Sequence, residues 1–422
     1  MIAKPTKHHL KWHAQEIGVI IHLDLWTFAR SLEHASNPSY GVGTLPLKVF
    51  DPAELNTDQW LEAAAALGAK YAVFVASHGS GLAMWPSAAD ENHVGNTPWG
   101  KRRTVAGLSC DIVQMFRDSC AKYGILPGLY YNTNINYAYG VKESGKVPAD
   151  GCLTQERYAR LVEKQVEELW SGYGEWFEIW FDGGVLPPEK GGPDLVPILE
   201  KYQPNAVCFQ GPPEHKNNLR WVGTESGRAP FDCWGACDGA QSGWQQNGGA
   251  GDPDSPIYAP AECDFPNRRN NTFQGGWFWH PESAAELLPT EHLFDCYLQT
   301  VGRGFPMLLG MPIDNRGLLS DAEMRQFASF GAYRAAQMED ALFVQVSAER
   351  GAEVFLSEPK QVAYAVLQED ITDGAKIRGY TTAVLADGEW KDIFSANSLG
   401  FKRIIKVPYA SISGVRVSVS QG

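Results

Sequence analysis

Long hydrophobic runs are missing from these 422 residues. The longest, such as YAVFVA at 71–76, are strand-sized and far short of the ~20 residues a membrane helix needs, so no membrane partner is expected. Basic runs are missing too. The formal net charge of -13 repels phosphate backbones, so no nucleic-acid partner is expected. The eight cysteines, at 110, 120, 152, 208, 233, 237, 263 and 296, contain no CxxC pair. That spacing argues against zinc and thioredoxin-like chemistry and predicts mostly buried free thiols. HGSGLAMW, 78–85, has glycines near a strand end but neither the lysine nor the spacing of a phosphate loop, which excludes nucleotide binding by that motif. The N-terminal MIAKPTKHHLKWHAQE lacks the apolar core of a signal peptide. A cytoplasmic location is expected, or a periplasmic or secreted one if a leader has been removed.

What is present is a chain with 44% hydrophobic residues, ordinary for a globular enzyme and long enough for a large domain plus a smaller one. Short apolar runs at 18–23, 70–77, 125–132, 177–182, 206–210, 219–225, 258–264 and 305–312 read as eight strands. Helical patterns fall between the earlier ones and after the last, and the segment 110–124 places Ile112, Met115, Phe116 and Cys120 on one face. The class is therefore α/β: a (β/α)8 TIM-like barrel, irregular in its later units, over 1–340. From 341 to 422 the pattern changes to alternating strands, which predicts a small C-terminal all-β sandwich domain. The Gly- and Asp-rich segment 235–256 reads as a long rim loop.

Chemistry in such barrels sits where strands end. FEIWFDGG, 177–184, drives four large apolar residues toward one aspartate and then turns on two glycines. A carboxylate there costs desolvation unless its charge is used; the bland alternative is that Asp182 caps a following helix. Glu225 in RWVGTESG and Glu262 in PAECD supply further carboxyls, and their bland alternative is a salt bridge to Arg220, Arg228 or Arg268. Paired carboxyls across a sugar-sized gap are what glycoside hydrolysis uses. His22, His78, Tyr131 and Pro312 end other strands. The two histidines lack a close third ligand, so no metal is expected, and an imidazole that bonds a sugar hydroxyl fits them as well. Aromatic residues crowd the same ends, and GGWFWHP, containing Trp279, is the least core-like of these stretches.

The order KWHAQEIGVIIHLDLWTF, LGAKYAVFVASHGSGLAMWPS, CAKYGILPGLYYN, EIWFDGG, RWVGTESG, APAECD with GGWFWH, and VGRGFPMLLGMPIDNRGLLSDAEMRQFASFG resembles glycoside hydrolase family 29, the retaining α-L-fucosidases, over about residues 5–335. RWVGTE and PAECD are similar to the branch selective for α-1,3/1,4-linked fucose. The resemblance implies Asp182 as nucleophile and Glu225 as acid/base, with Glu262 as the alternative acid/base. It also implies His22, His78, Tyr131 and Trp180 around the fucose ring, a fucosylated oligosaccharide or polysaccharide as substrate, no cofactor, and a β-sandwich after the barrel. Glu262 and Trp279 are carried as further substrate-binding candidates. Two places depart from the family pattern. Leu23 and Asp24 stand where the family has an aromatic residue and glycine, and Gly79 and Ser80 where it often has histidine and aspartate. These departures admit an altered substrate, such as a sulfated fucoside or an α-L-galactoside, or a catalytically silent carbohydrate-binding barrel.

Overall fold

Eight short strands, nearly all of whose residues are buried, close into one ring in the computed structural model, which describes residues 2–29, 45–237, 249–281, 286–338 and 351–421. They are β1 (Ile17–His22), β2 (Tyr71–Ser77), β3 (Leu126–Tyr131), β4 (Glu178–Trp180), β5 (Val207–Phe209), β6 (Asn218–Trp221), β7 (Ala261–Phe265) and β8 (Met307–Pro312). Each pairs in parallel with the next in sequence, and β1 closes on β8 from Ile17 opposite Met307 to His22 opposite Pro312. A parallel strand covered on both faces has to be apolar on both, which explains continuous runs such as VIIH and YAVFVA.

Side chains alternate in and out. Ile20, Tyr71, Val73, Val75, Tyr130, Trp180, Val207, Phe209, Leu219 and Leu308 fill the barrel interior, and Trp12 joins them from helix α1 (Lys7–His13). Ile21, Phe74, Tyr131, Ile179 and Phe181 point outward into the helix layer. That layer includes α2 (Thr57–Leu67), α3 (Pro98–Val105), α4 (Ile112–Tyr123), α5 (Gln155–Gly172), α6 (Val196–Tyr202), α7 (Thr290–Gln299) and α8 (Asp321–Gln337). The expected helices correspond to α2, α4, α5, α6 and α8.

Two strands are offset from their expected bounds, for backbone reasons. β6 ends at Trp221, four residues early, because Gly223 turns the chain with φ +95°. β7 starts at Ala261 rather than 258, just after Pro260, which has no N–H to give a ladder.

The C-terminal strands are β9 (Gly351–Lys360), β10 (Tyr364–Leu367), β11 (Gly379–Ala386), β12 (Glu389–Ala396), β13 (Arg403–Lys406) and β14 (Ile412–Gln421). They form an antiparallel sheet in the order β12-β11-β14-β9 and a two-stranded sheet β10-β13. The two share a core of Ala365, Val384, Ala386, Ile405, Val407 and Ile412. The expected boundary at 340/341 lies outside the described residues. The barrel and these sheets are tied by Asp232, which accepts from Asn397 N at 2.9 Å and Nδ2 at 2.8 Å, by Arg403 on Phe231 O at 3.0 Å, and by Lys402 on Glu16. Among the described residues no helix is long and apolar enough to cross a membrane. All eight cysteines are free, and six are buried.

Candidate active site

Alternation along 178–182 settles where the opening motif points. Trp180 faces the barrel interior and Ile179 and Phe181 face out, so Asp182, two residues past Trp180, emerges inward at the C-terminal mouth. It caps no helix: the next, α6, begins at Val196 with Leu195 as its cap. The Tyr130 hydroxyl donates to Asp182 Oδ2 at 3.0 Å, while Asn132 Nδ2 donates to the same hydroxyl at 3.1 Å. Because Asn132 occupies an acceptor lobe of that oxygen, the tyrosyl proton is directed at the carboxylate. Burial raises the pKa of Asp182, and the Tyr130 hydrogen bond opposes the rise. The two glycines that follow have a steric reason: Gly183 has φ +72°, and a Cβ there would lie 2.4 Å from Asn134 Nδ2. The Gly183 N–H donates to Gln210 Oε1 at 2.9 Å, and Gly184 O accepts from Thr133 Oγ1 at 2.8 Å, fixing the turn.

Aromatic rings wall this carboxyl. Tyr130 stacks against His78 (centroids 5.4 Å apart, 7° between planes) and Trp180 (5.3 Å, 19°), and Trp180 stacks on Phe209 at 3.8 Å. His22 lies 5.9 Å from His78, 5.3 Å from Trp277 and 5.1 Å from Phe278. A one-residue slip of β2 against β3 between Val75 and Ser77 accompanies the arrival of His78 on this inner side. Burial drives the pKa of His22 down to about 3 and that of His78 well below its ordinary value, so both are neutral. His22 Nδ1 sits 3.4 Å from Ile20 O, which places its proton there and leaves Nε2 as an acceptor.

Glu225 stands in the loop after β6, at the exposed edge of the mouth. Partial burial raises its pKa, a hydrogen bond from Trp277 opposes the rise, and the charge of Asp182 adds to it. The bland alternatives for the glutamates are not met among the described residues. Arg268 pairs with Glu323, Arg228 with Asp295 at 3.0 Å, and Arg220 donates to Gly249 O at 2.6 Å and Trp234 O at 3.1 Å.

Two candidates, Tyr131 and Glu262, are placed differently from the expectation. Tyr131 is turned away: its hydroxyl donates to Gln165 of α5 at 2.6 Å, because adjacent strand residues face opposite ways and Tyr130 takes the inner side. Glu262 lies below the mouth, since β7 starts later than expected. It is fully buried and accepts from Tyr71 Oη at 2.8 Å and Trp180 Nε1 at 2.7 Å, with Glu178 its buried neighbour. Trp279 has a buried indole N–H without a hydrogen-bond partner among the described residues, and Trp277 and Phe278 are the rings of that segment that meet the histidines. Sequence reasoning counted Tyr130 and Trp277 only among the aromatic residues near the strand ends and passed over Asp264; strand alternation from Glu262 was the signal that could have found the last.

The two departures from the family pattern meet each other. The Ser80 hydroxyl donates to Asp24 Oδ1, which also accepts from Leu25 N. Gly79 leaves room for Trp26, whose Cζ2 would lie 3.4 Å from a Cβ there, and Trp26 packs on His78 at 5.0 Å.

A parallel barrel whose mouth holds carboxyls among stacked rings has the build of a glycoside hydrolase. The sequence profile described as Alpha-L-fucosidase matches residues 45–339. Alpha-L-fucosidase 1 of Arabidopsis thaliana is 26% identical over 453 aligned residues, covering 95% of this chain and 81% of that protein. The crystal structure of a candidate α-L-fucosidase from Bacteroides thetaiotaomicron VPI-5482 matches with TM-score 0.87 at 31% identity, over 100% of this chain and 96% of that one. A Ruminococcus gnavus GH29 fucosidase in complex with fucose matches at TM-score 0.77 and 18% identity, over 100% and 93%, a likeness of fold alone. The chain belongs to the α-L-fucosidase family of glycoside hydrolases.

Proposed function

We propose that this protein is a retaining exo-α-L-fucosidase that removes terminal α-linked fucose, with preference for α-1,3 and α-1,4 linkages, from oligosaccharides or glycans. The observation that carries the reading is Asp182, held at the barrel mouth by Tyr130 inside a wall of His22, His78, Trp180 and Trp277. In this reading Asp182 attacks the anomeric carbon and Glu225 protonates the departing oxygen. Glu225 then takes a proton from the water that releases the sugar. A carboxyl whose pKa is raised at the mouth suits an acid that must hold a proton near neutrality. The linkage preference rests on RWVGTE and PAECD. His22 and His78 bond the sugar hydroxyls, Tyr130 takes the part expected of Tyr131, and Glu262 works from below by anchoring Trp180. The charge of Asp182 disfavours an anionic sugar, so in this reading the substrate is a neutral fucoside rather than a sulfated one.

A panel of fucosylated oligosaccharides of defined linkage tests this reading. Release of fucose is expected from α-1,3 and α-1,4 members, and replacing Asp182 with alanine is expected to cut turnover at least about 1,000-fold while the chain stays folded. An alanine variant keeping most of the activity removes Asp182 from the role.

A further inference from the structure

Asp264 has no part in the chemistry assigned so far, and its surroundings are unusual. It lies on β7 two residues beyond Glu262, so alternation turns both side chains into the barrel, with Asp264 the nearer to the mouth. It is 2% exposed, and Oδ1 is enclosed without a hydrogen-bond partner among the described residues. Glu262 on its own strand is satisfied by Tyr71 and Trp180, so nothing in its position forces Asp264 to be an acid as well. The charged groups that bear on Asp264 are Glu225 after β6, Glu262 beside it and Asp182 after β4, all acids.

Resting on the functional reading above, we propose that Asp264 is a further substrate-binding residue of this site, its carboxyl carrying a proton and donating a hydrogen bond to a sugar hydroxyl. An enclosed carboxyl ringed by three others, with no counter-ion among the described residues, gives up its charge rather than keep it. The proton it retains makes it a donor where Asp182 and the neutral His22 supply acceptors. Burial first, and then the charge of Glu225, push its pKa well above the ordinary range, in the same direction. The sugar hydroxyl in turn satisfies an oxygen that the protein alone leaves bare.

The test compares Asp264→Asn, an uncharged isostere that still donates, with Asp264→Ala, measuring kcat and KM for fucose release from the α-1,3- and α-1,4-linked fucosyl oligosaccharides across the neutral pH range. The asparagine variant is expected within about 5-fold of wild-type kcat/KM with an unchanged pH profile, and the alanine variant to lose about 10-fold or more. An asparagine variant as impaired as the alanine one, or with a shifted pH profile, overturns the proposal, as does an alanine variant indistinguishable from wild type. If the alanine chain does not fold, Asp264→Ser, polar but too short to reach, replaces it with the same expectation. Wild-type hydrolysis in the same assay separates this result from the functional reading, because an inactive wild type refutes that reading directly. The variants are then compared for fucose binding by calorimetry, where the same order supports the proposal and equal affinities overturn it.

Discussion

Tyr130 and Tyr131 are chain neighbours with opposite surroundings, one bonded to Asp182 and the other to a helix glutamine. Tyr130→Phe is expected to lower kcat on an aryl fucoside about 10-fold, through loss of the bond that orients and steadies the carboxylate. Tyr131→Phe is expected to leave kcat unchanged and to cost about 1 kcal/mol of stability in denaturant titration. Equal kinetic effects would sink the assignment. Asp24 makes a pH prediction. Burial lifts its carboxyl from 3.8 to about 7, so the folded chain holds a proton there that the unfolded chain has already released. The associated stability is complete below pH 3.8 and is lost as pH rises through about 7. Asp24→Asn removes that loss, so its melting temperature should gain on wild type from acidic to mildly alkaline pH; a constant difference would contradict the account. Asp182 was legible because large apolar residues lead up to a carboxyl. The role of Tyr130 was not, because the last aromatic of GLYY was taken as the one at the mouth, whereas the register that sets Tyr130 opposite Trp180 turns Tyr130 inward and is visible only in three dimensions.

At the scale of elements, strands were legible wherever continuous burial wrote a continuous apolar run, as in β1, β2 and β8. The bounds that slipped are those set by single backbone residues, Gly223 and Pro260, and the second slip carried Glu262 from the mouth into the interior. The loop β7–α8 unit depends on a buried ion pair. Glu323 pairs with Arg268, accepts from Asn267 Nδ2 at 3.0 Å, and completes a capping box with Ser320 at the start of α8. Glu323→Ala leaves the Arg268 guanidinium buried without its carboxylate and is expected to cost about 3–5 kcal/mol in chemical denaturation. A cost under about 1 kcal/mol would show that the pair is not what fixes this helix to the barrel. Helices α1, α3 and α7 escaped notice in the sequence because two are short and their polar and aromatic residues, as in KHHLKWH and PWGKRRTV, show no clean apolar stripe.

The whole molecule is a closed barrel with two antiparallel sheets fastened to it by Asp232, Arg403 and Lys402, and its chemistry is concentrated at one mouth. Architecture was readable from the change of period after the last barrel helix, while the pairing of Asp24 with Ser80 needed three dimensions, since 56 positions separate them. The central claim is that Asp182 and Glu225 act on opposite sides of one bond to fucose. NMR of the first sugar released from an α-linked fucosyl oligosaccharide tests it most directly. Two displacements predict α-L-fucose as the initial anomer from the wild type and none from the Asp182 variant; β-L-fucose appearing first, or no fucose at all, would contradict the account.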